Sequence, residues 1–302
     1  MLYSARLICS FVLVLLAGEG LFPARANAQT IDERFRPGFS FLPGSPLAVP
    51  FPADYEEPRI GIRKDVGSSR ITLDLGSMFD LIGYTGTRTG PAYRAGVDAF
   101  ATALTSTTGE HRLQVDAADG YIGGHLTYAG RTQDPRFTIR LRVLHLSGHL
   151  IDGSWDRQTG QWKDGKQPVP FTRNFIEIAA AWTFPLGMIS STVYTGFRYS
   201  FFVRPSTLAH PATLHGLTVR TNDTACELFG RPFVFYVSDH VYFAGIPKYY
   251  ISNSAAAGVK FGSWGSGGIR LSVEYYTGLD RISQNYAAKV SLWTVGITAD
   301  VW

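Results

Sequence analysis

The chain has 302 residues, enough for two ordinary domains or for one large barrel, so length excludes little. Only 17% of residues are charged, below the quarter usual in soluble domains, while 14% are aromatic and 32 are glycine. The net charge of +4 comes from basic residues scattered singly, without the stripe or run that a nucleic-acid surface needs, so no nucleic-acid partner is expected.

The first segment reads as an export signal. Arg6 supplies a short positive start, Leu7 to Ala17 is apolar apart from Cys9 and Ser10, and Ala26-Asn27-Ala28 puts small residues where a signal peptidase cuts. Residues 1–28 are therefore expected to be a cleaved signal peptide. The apolar run of about eleven residues is short of the roughly 20 that a spanning helix requires. With Cys9 in that peptide, Cys226 stands alone in the mature chain and no intramolecular disulfide is available. No later segment approaches a spanning helix. A membrane protein of this sequence must cross as a closed barrel, because only helices and barrels satisfy every backbone hydrogen bond inside lipid.

Residues 29–58 carry Pro37, Pro43, Pro46, Pro50, Pro52 and Pro58, which suppress regular structure, and are expected to form an extended periplasmic arm before the barrel. From Arg59 the pattern changes to period-two segments separated by Gly, Pro, Asn, Asp and Thr. Phe137, Ile139, Leu141 and Val143 alternate with Thr138, Arg140 and Arg142. Val193, Phe197, Tyr199 and Phe201 alternate with Thr192, Gly196, Arg198 and Ser200, and Ala255, Ala257, Val259 and Phe261 with Ser254, Gly258, Lys260 and Gly262. In 268–276, Ile269, Leu271, Val273 and Tyr275 alternate with Arg270, Ser272, Glu274 and Tyr276.

The segments run from 59–64 to 287–301 and number about twelve, the even count usual for bacterial barrels. Residues 59–302 are thus expected to form an all-β, antiparallel transmembrane barrel with both termini in the periplasm. Aromatics near strand ends (Tyr128, Trp182, Tyr242, Trp264, Trp293) and the final Trp302 fit an outer-membrane wall. The C-terminal strand is expected to engage the barrel-assembly machinery. Parity makes 148–172, with Trp155 and Trp162, a long external loop and 221–231 an unusually long periplasmic turn, and Gly262 to Gly268 reads as a turn.

Several stretches resemble the bacterial outer-membrane family known as domain of unknown function 1207. They are Phe51-Pro52-Ala53-Asp54 with Glu57-Pro58-Arg59, then Ala95-Gly96-Val97-Asp98-Ala99, then 140–152, which begins Arg140-Leu141-Arg142, and Val273-Glu274-Tyr275-Tyr276-Thr277-Gly278. The stretch 140–152, from arginine through the histidines, is the most specific. The resemblance spans about residue 50 to the C-terminus and implies an outer-membrane barrel. The family lacks an assigned activity, so no chemistry follows from it.

His145, Ser147, His149 and Asp152 are the candidate catalytic residues, being the only cluster with the types nucleophilic catalysis needs. A His two positions from a Ser on one strand projects to the same face. If the phase of Phe137 to Val143 continues, His145 and Ser147 face lipid near the outer leaflet, as a phospholipase or lipid A deacylase would require. If Leu144 and Leu146 mark a bulge, the cluster turns into the lumen instead. A hydrogen-bonded histidine pair at the rim is the non-catalytic alternative. The two histidines would lie about 13 Å apart along a strand, too far for one metal shell, and neither metal nor cofactor is expected.

The expected lumen-lining charges are Arg140, Arg142, Glu177, Arg198, Lys260, Arg270 and Glu274, with Asp74. They either line a narrow anion-preferring pore with a small solute as its cargo, or form an ion-pair network filling the barrel. The expected function is therefore a pore or structural component of the bacterial outer membrane, in contact with its lipid. The alternative is a lipid hydrolase built on His145 and Ser147.

Overall fold

The structure, a computed structural model, describes residues 37–44, 46–107, 113–132, 135–165, 167–245 and 248–301. The expected signal peptide, the first part of the Pro-rich arm and Trp302 lie outside the described residues.

Twelve strands follow one another as an antiparallel meander: β2 (Ile60–Asp65), β3 (Arg70–Thr85), β4 (Ala92–Thr107), β5 (Leu113–Ala129), β6 (Phe137–Leu150), β9 (Phe171–Leu186), β10 (Ile189–Arg204), β11 (Pro211–Thr221), β13 (Arg231–Gly245), β14 (Tyr249–Phe261), β15 (Gly268–Leu279) and β16 (Lys289–Asp300). Each pairs with its sequence neighbour, and β16 pairs with β2 from Thr294↔Asp65 to Ala299↔Ile60, so the sheet closes. No described helix is long and apolar enough to cross a membrane. Four short strands complete the set. β1 (Gly38–Phe41) extends the wall beside β3, β7 (Trp155–Asp156) and β8 (Gln161–Trp162) form a hairpin in the 151–170 loop, and β12 (Glu227–Leu228) pairs with β13. That last pairing explains the long 221–231 turn, which is a hairpin extension closing through Phe229 and Gly230, both at positive φ.

The alternation reads out as an inverted barrel. Side chains facing away from the lumen are apolar and exposed, among them Val97, Ile122, Leu126, Val143, Ile178, Phe197, Val237, Val273 and Val295. Those facing inward are polar and buried, among them Arg63, Asp74, Asp98, His125, Arg142, Glu177, Arg198, His240 and Glu274. A wall that is apolar outside and ionic inside belongs in lipid, where burial by solvent is supplied by acyl chains. Aromatic clusters ring both ends. Tyr84, Tyr93 and Tyr128 with Phe137 and Trp182 mark the end where β2 begins, and Phe243–Tyr249 and Tyr275–Trp293 mark the opposite end.

The lumen is filled in two layers. In its middle, the wall charges pair with one another and with residues 54–59. Toward the end distal to the start of β2, an apolar core of Phe100, Tyr121, Leu144, Leu146, Phe171 and Phe175 takes over. This core corrects one expectation. Leu144 and Leu146 are 2% and 1% exposed without any register shift in β6, so they mark no phase flip. They point inward because the lumen is apolar at that level.

The arm is corrected too. Residues 46–58 do not extend outside the barrel. Ala53, Asp54, Glu56 and Glu57 are buried, Phe51 stacks on Tyr194 with ring centroids 3.6 Å apart, and Tyr55 meets Tyr276 edge-on. Prolines keep this segment out of the ladder, and its acids draw it in among inward arginines.

The distal mouth is capped from outside. Ser283 donates its N–H and hydroxyl to Asp119 Oδ2, both at 2.9 Å, and Gln284 Nε2 donates to the carbonyls of Gly148 and Val169 at 2.8 and 2.7 Å. The 280–288 loop is thereby tied to the 151–170 loop, in which Trp155 and Trp162 meet edge-on.

Candidate functional site

Two polar groupings occupy β6 and β9, one on each face. Inward, Glu177 is the hub. Its Oε1 accepts from Arg142 Nε and Nη2 at 3.0 and 2.6 Å, and its Oε2 accepts from Arg198 Nε and Nη2 at 3.0 and 2.5 Å. Residues of the tucked arm complete the pattern. Glu57 binds Arg140 and lies 3.7 Å from Arg142, while Glu56 binds Arg198 and, at 2.8 Å, Arg173. Farther round the wall, Arg63 binds Asp74 at 2.8 and 2.9 Å and lies 3.5 Å from Glu274, and Lys260 and Arg270 share Asp300 at 2.7 Å each. All the inward charges expected from sequence are thus in the lumen, and each has a carboxylate or guanidinium partner. Cavities around the arm measure about 20 and 50 Å³, room for single waters or a few; a larger one of about 270 Å³ lies near the start of β2.

Outward, the phase of Phe137 to Val143 continues, and His145, Ser147 and His149 face away from the lumen. β6 pairs with β9 so that His145 stands opposite Asn174 and Ser147 opposite Thr172. His145 Nδ1 lies 2.6 Å from Asn174 Oδ1. An amide oxygen only accepts, so with Oδ1 turned to the ring it is Nδ1–H that donates in this contact. Ser147 projects from the same face two residues along, about 7 Å away between Cα atoms. Among the described residues no hydrogen bond joins His145 to Ser147; the pair shares a face without being in contact. His149 is exposed one further step toward the distal rim. Asp152 opens a 3-10 turn (Asp152–Ser154), and its side chain is outside the described set.

The backing of this outward row is rigid. Leu144 and Leu146 alternate with His145 and Ser147 and are buried against the distal apolar core, as is Phe175 next to Asn174. The imidazole of His145 is thus held by the Asn174 amide, with the Ser147 hydroxyl two residues along the same outward row.

Asn174 is the residue that sequence reasoning missed. Its signal was a lone amide in the outward row that continues through Ile176 and Ile178. Cys226 is a free, partly exposed thiol away from these residues.

Fold and wall chemistry together define the class: a closed, twelve-stranded antiparallel barrel with an apolar outer face and an ionic lumen, the build of a membrane-spanning barrel. Among solved structures, the chain is similar to the outer membrane phospholipase A from Escherichia coli, with a TM-score of 0.44 and 11% identity over 84% of this chain and 93% of that one. It is also similar to the beta domain of the Bordetella autotransporter BrkA (TM-score 0.43, 13% identity, 79% of this chain and 94% of that one). A third is the CymD monoaromatic hydrocarbon channel (TM-score 0.40, 9% identity, 80% of this chain and 76% of that one). No protein-family model and no curated protein matches the chain, so the resemblance to domain of unknown function 1207 stands on the residues quoted for it.

Proposed function

We propose that this protein is an outer-membrane hydrolase of lipid esters, with Ser147 as nucleophile, His145 as general base and acid, and Asn174 as the group that orients the imidazole. The observation that carries this reading is the 2.6 Å contact of His145 Nδ1 with Asn174 Oδ1 on the lipid-facing wall, in the same outward row as Ser147. Polar side chains there are costly unless satisfied, and the wall's folding supplies no need for them.

In this reading a lipid ester lies against the wall with its carbonyl at Ser147. Rotation of the two side chains brings Oγ to Nε2, a contact that tightens when substrate is bound. Oγ adds to the carbonyl carbon as its proton passes to Nε2, and the tetrahedral adduct collapses. The ester C–O bond breaks, and the departing alcohol takes the proton from His145. Water then adds to the acyl-serine, giving its proton to Nε2, and the free fatty acid leaves as Ser147 recovers its hydrogen. The filled lumen supports the same reading, since substrate reaches this site laterally from lipid rather than through the barrel.

The test uses the refolded full chain in mixed micelles of detergent with diacyl phospholipid or with lipid A, measuring fatty-acid release. Ser147→Ala is expected to lower the rate by at least about a thousandfold, with heat-modifiable mobility unchanged. The lipid that is cleaved identifies the substrate class. A folded wild type inert on both lipids overturns the proposal, and planar-bilayer conductance then separates a pore from a scaffold.

A further inference from the structure

Ser147 has two cross-strand neighbours, Thr172 on β9 and Gly120 on β5. Beyond Gly120, on β4, stands Ala101. Glycine inside a strand weakens it and usually answers a bulge, a positive φ or a close approach of backbone. Gly123, on the same strand, has such a reason, because a Cβ there would lie 2.0 Å from the Val143 carbonyl oxygen. Gly120 has none. Its pairing with β4 and β6 is regular, its φ is ordinary, and a Cβ there would meet only Ser147 Oγ, at 3.8 Å. The next outward residue of β5, Ile122, is 63% exposed and shows how far an ordinary wall side chain would project beside the hydroxyl.

We infer that Gly120 is the access determinant of the site: its missing side chain leaves a notch in the wall through which a long-chain lipid ester reaches Ser147 Oγ. This rests on the hydrolase reading above and adds what that reading lacks, a reason why a serine in a dense apolar wall can be approached by a carbonyl carrying a methylene chain. Cross-strand Cβ atoms stand about 5 Å apart, so a branched or long residue at this position covers the hydroxyl. Reacting groups must come within about 3.5 Å of each other, so the cover falls on the reaction rather than on the fold.

The experiment compares wild type, Gly120→Ala, Gly120→Leu and Ser147→Ala, refolded to the heat-modifiable band, on a diacyl phospholipid in mixed micelles and on a short soluble ester. With Gly120→Leu, kcat/KM for phospholipid is expected to fall by about a hundredfold, the size that small misplacements of reacting groups produce. Gly120→Ala is expected to lower it by about tenfold, at the lower end of what one added methylene costs in a fitted pocket. For both variants the short ester is expected to lose less, so that the ratio of the two activities shifts against the long chain. An inert wild type, or a Ser147→Ala as active as wild type, overturns the hydrolase reading and the notch with it. An active wild type and dead Ser147→Ala, with both Gly120 variants unchanged in rate and in ratio, overturns the notch alone. Should Gly120→Leu not fold, the ratio in Gly120→Ala decides, because its methyl meets only Ser147 Oγ at an ordinary contact distance and leaves the ladder intact.

Discussion

The inward and outward groupings of β6 and β9 are built on alternate residues of the same two strands, yet they obey opposite rules. Inward, Arg142, Glu177 and Arg198 are paired with one another and with the tucked arm, as ionic groups in a closed lumen must be. Outward, His145 and Asn174 satisfy one nitrogen and one oxygen of each other, and the Ser147 hydroxyl stands in the same row on the face turned from the lumen. The first grouping is accounted for by folding; the second is not. Polar groups with no structural task on an apolar face are where function is to be sought.

That contrast is broken if either face behaves like the other. The largest effect on stability is expected from Glu177→Ala, which removes the carboxylate shared by two buried guanidiniums and should destabilise the barrel by about 3–5 kcal/mol; urea titration of the folded band measures it. A variant as stable as wild type would show the inward network to be dispensable. Asn174→Ala should leave urea stability within about 0.5 kcal/mol, as for a substitution away from buried networks. It should lower lipid hydrolysis by about a hundredfold, the low end of what general-base assistance contributes. Large destabilisation with intact activity would assign Asn174 to the fold instead. The smallest effect is expected at His149. It faces outward without a place in the His145–Asn174 bond, and His149→Ala should keep hydrolysis within about threefold, less than a general base contributes. A loss equal to that of His145→Ala would make it a second base and redraw the outward grouping.

Much of this contrast was legible in the sequence. Period-two alternation located all twelve wall strands, and the inward positions of Arg140, Arg198, Arg270 and Glu274 followed from it, because in a strand alternation alone fixes the face. The shared face of His145 and Ser147 was visible for the same reason. Three things were hidden. Asn174 lies across the 151–170 loop, and only the register of β6 on β9 brings it beside His145. Leu144 and Leu146 looked like a phase change because alternation cannot show that a lumen turns apolar at one level. The Pro-rich arm looked external because proline excludes strand but says nothing of where an irregular segment lies. The counter-charge of Asp54, Glu56 and Glu57 to the inward arginines was the unread clue.

The tucked arm also has a mechanical consequence. Residues 46–50 line the cavity at the proximal end with Arg136, Thr183 and Arg220, and Ile60 leaves the lumen at that same end to pair with Ala299. The segment is therefore a loop lowered through one mouth and returned through it, with Glu56 near its lowest point. Among the described residues its backbone hydrogen bonds, Asp54 N–H to Phe51 and Glu57 N–H to Asp54, are internal, and side chains grip the wall. It is a cork tied to the first stave, held by ion pairs and ring contacts rather than as a rung of the sheet.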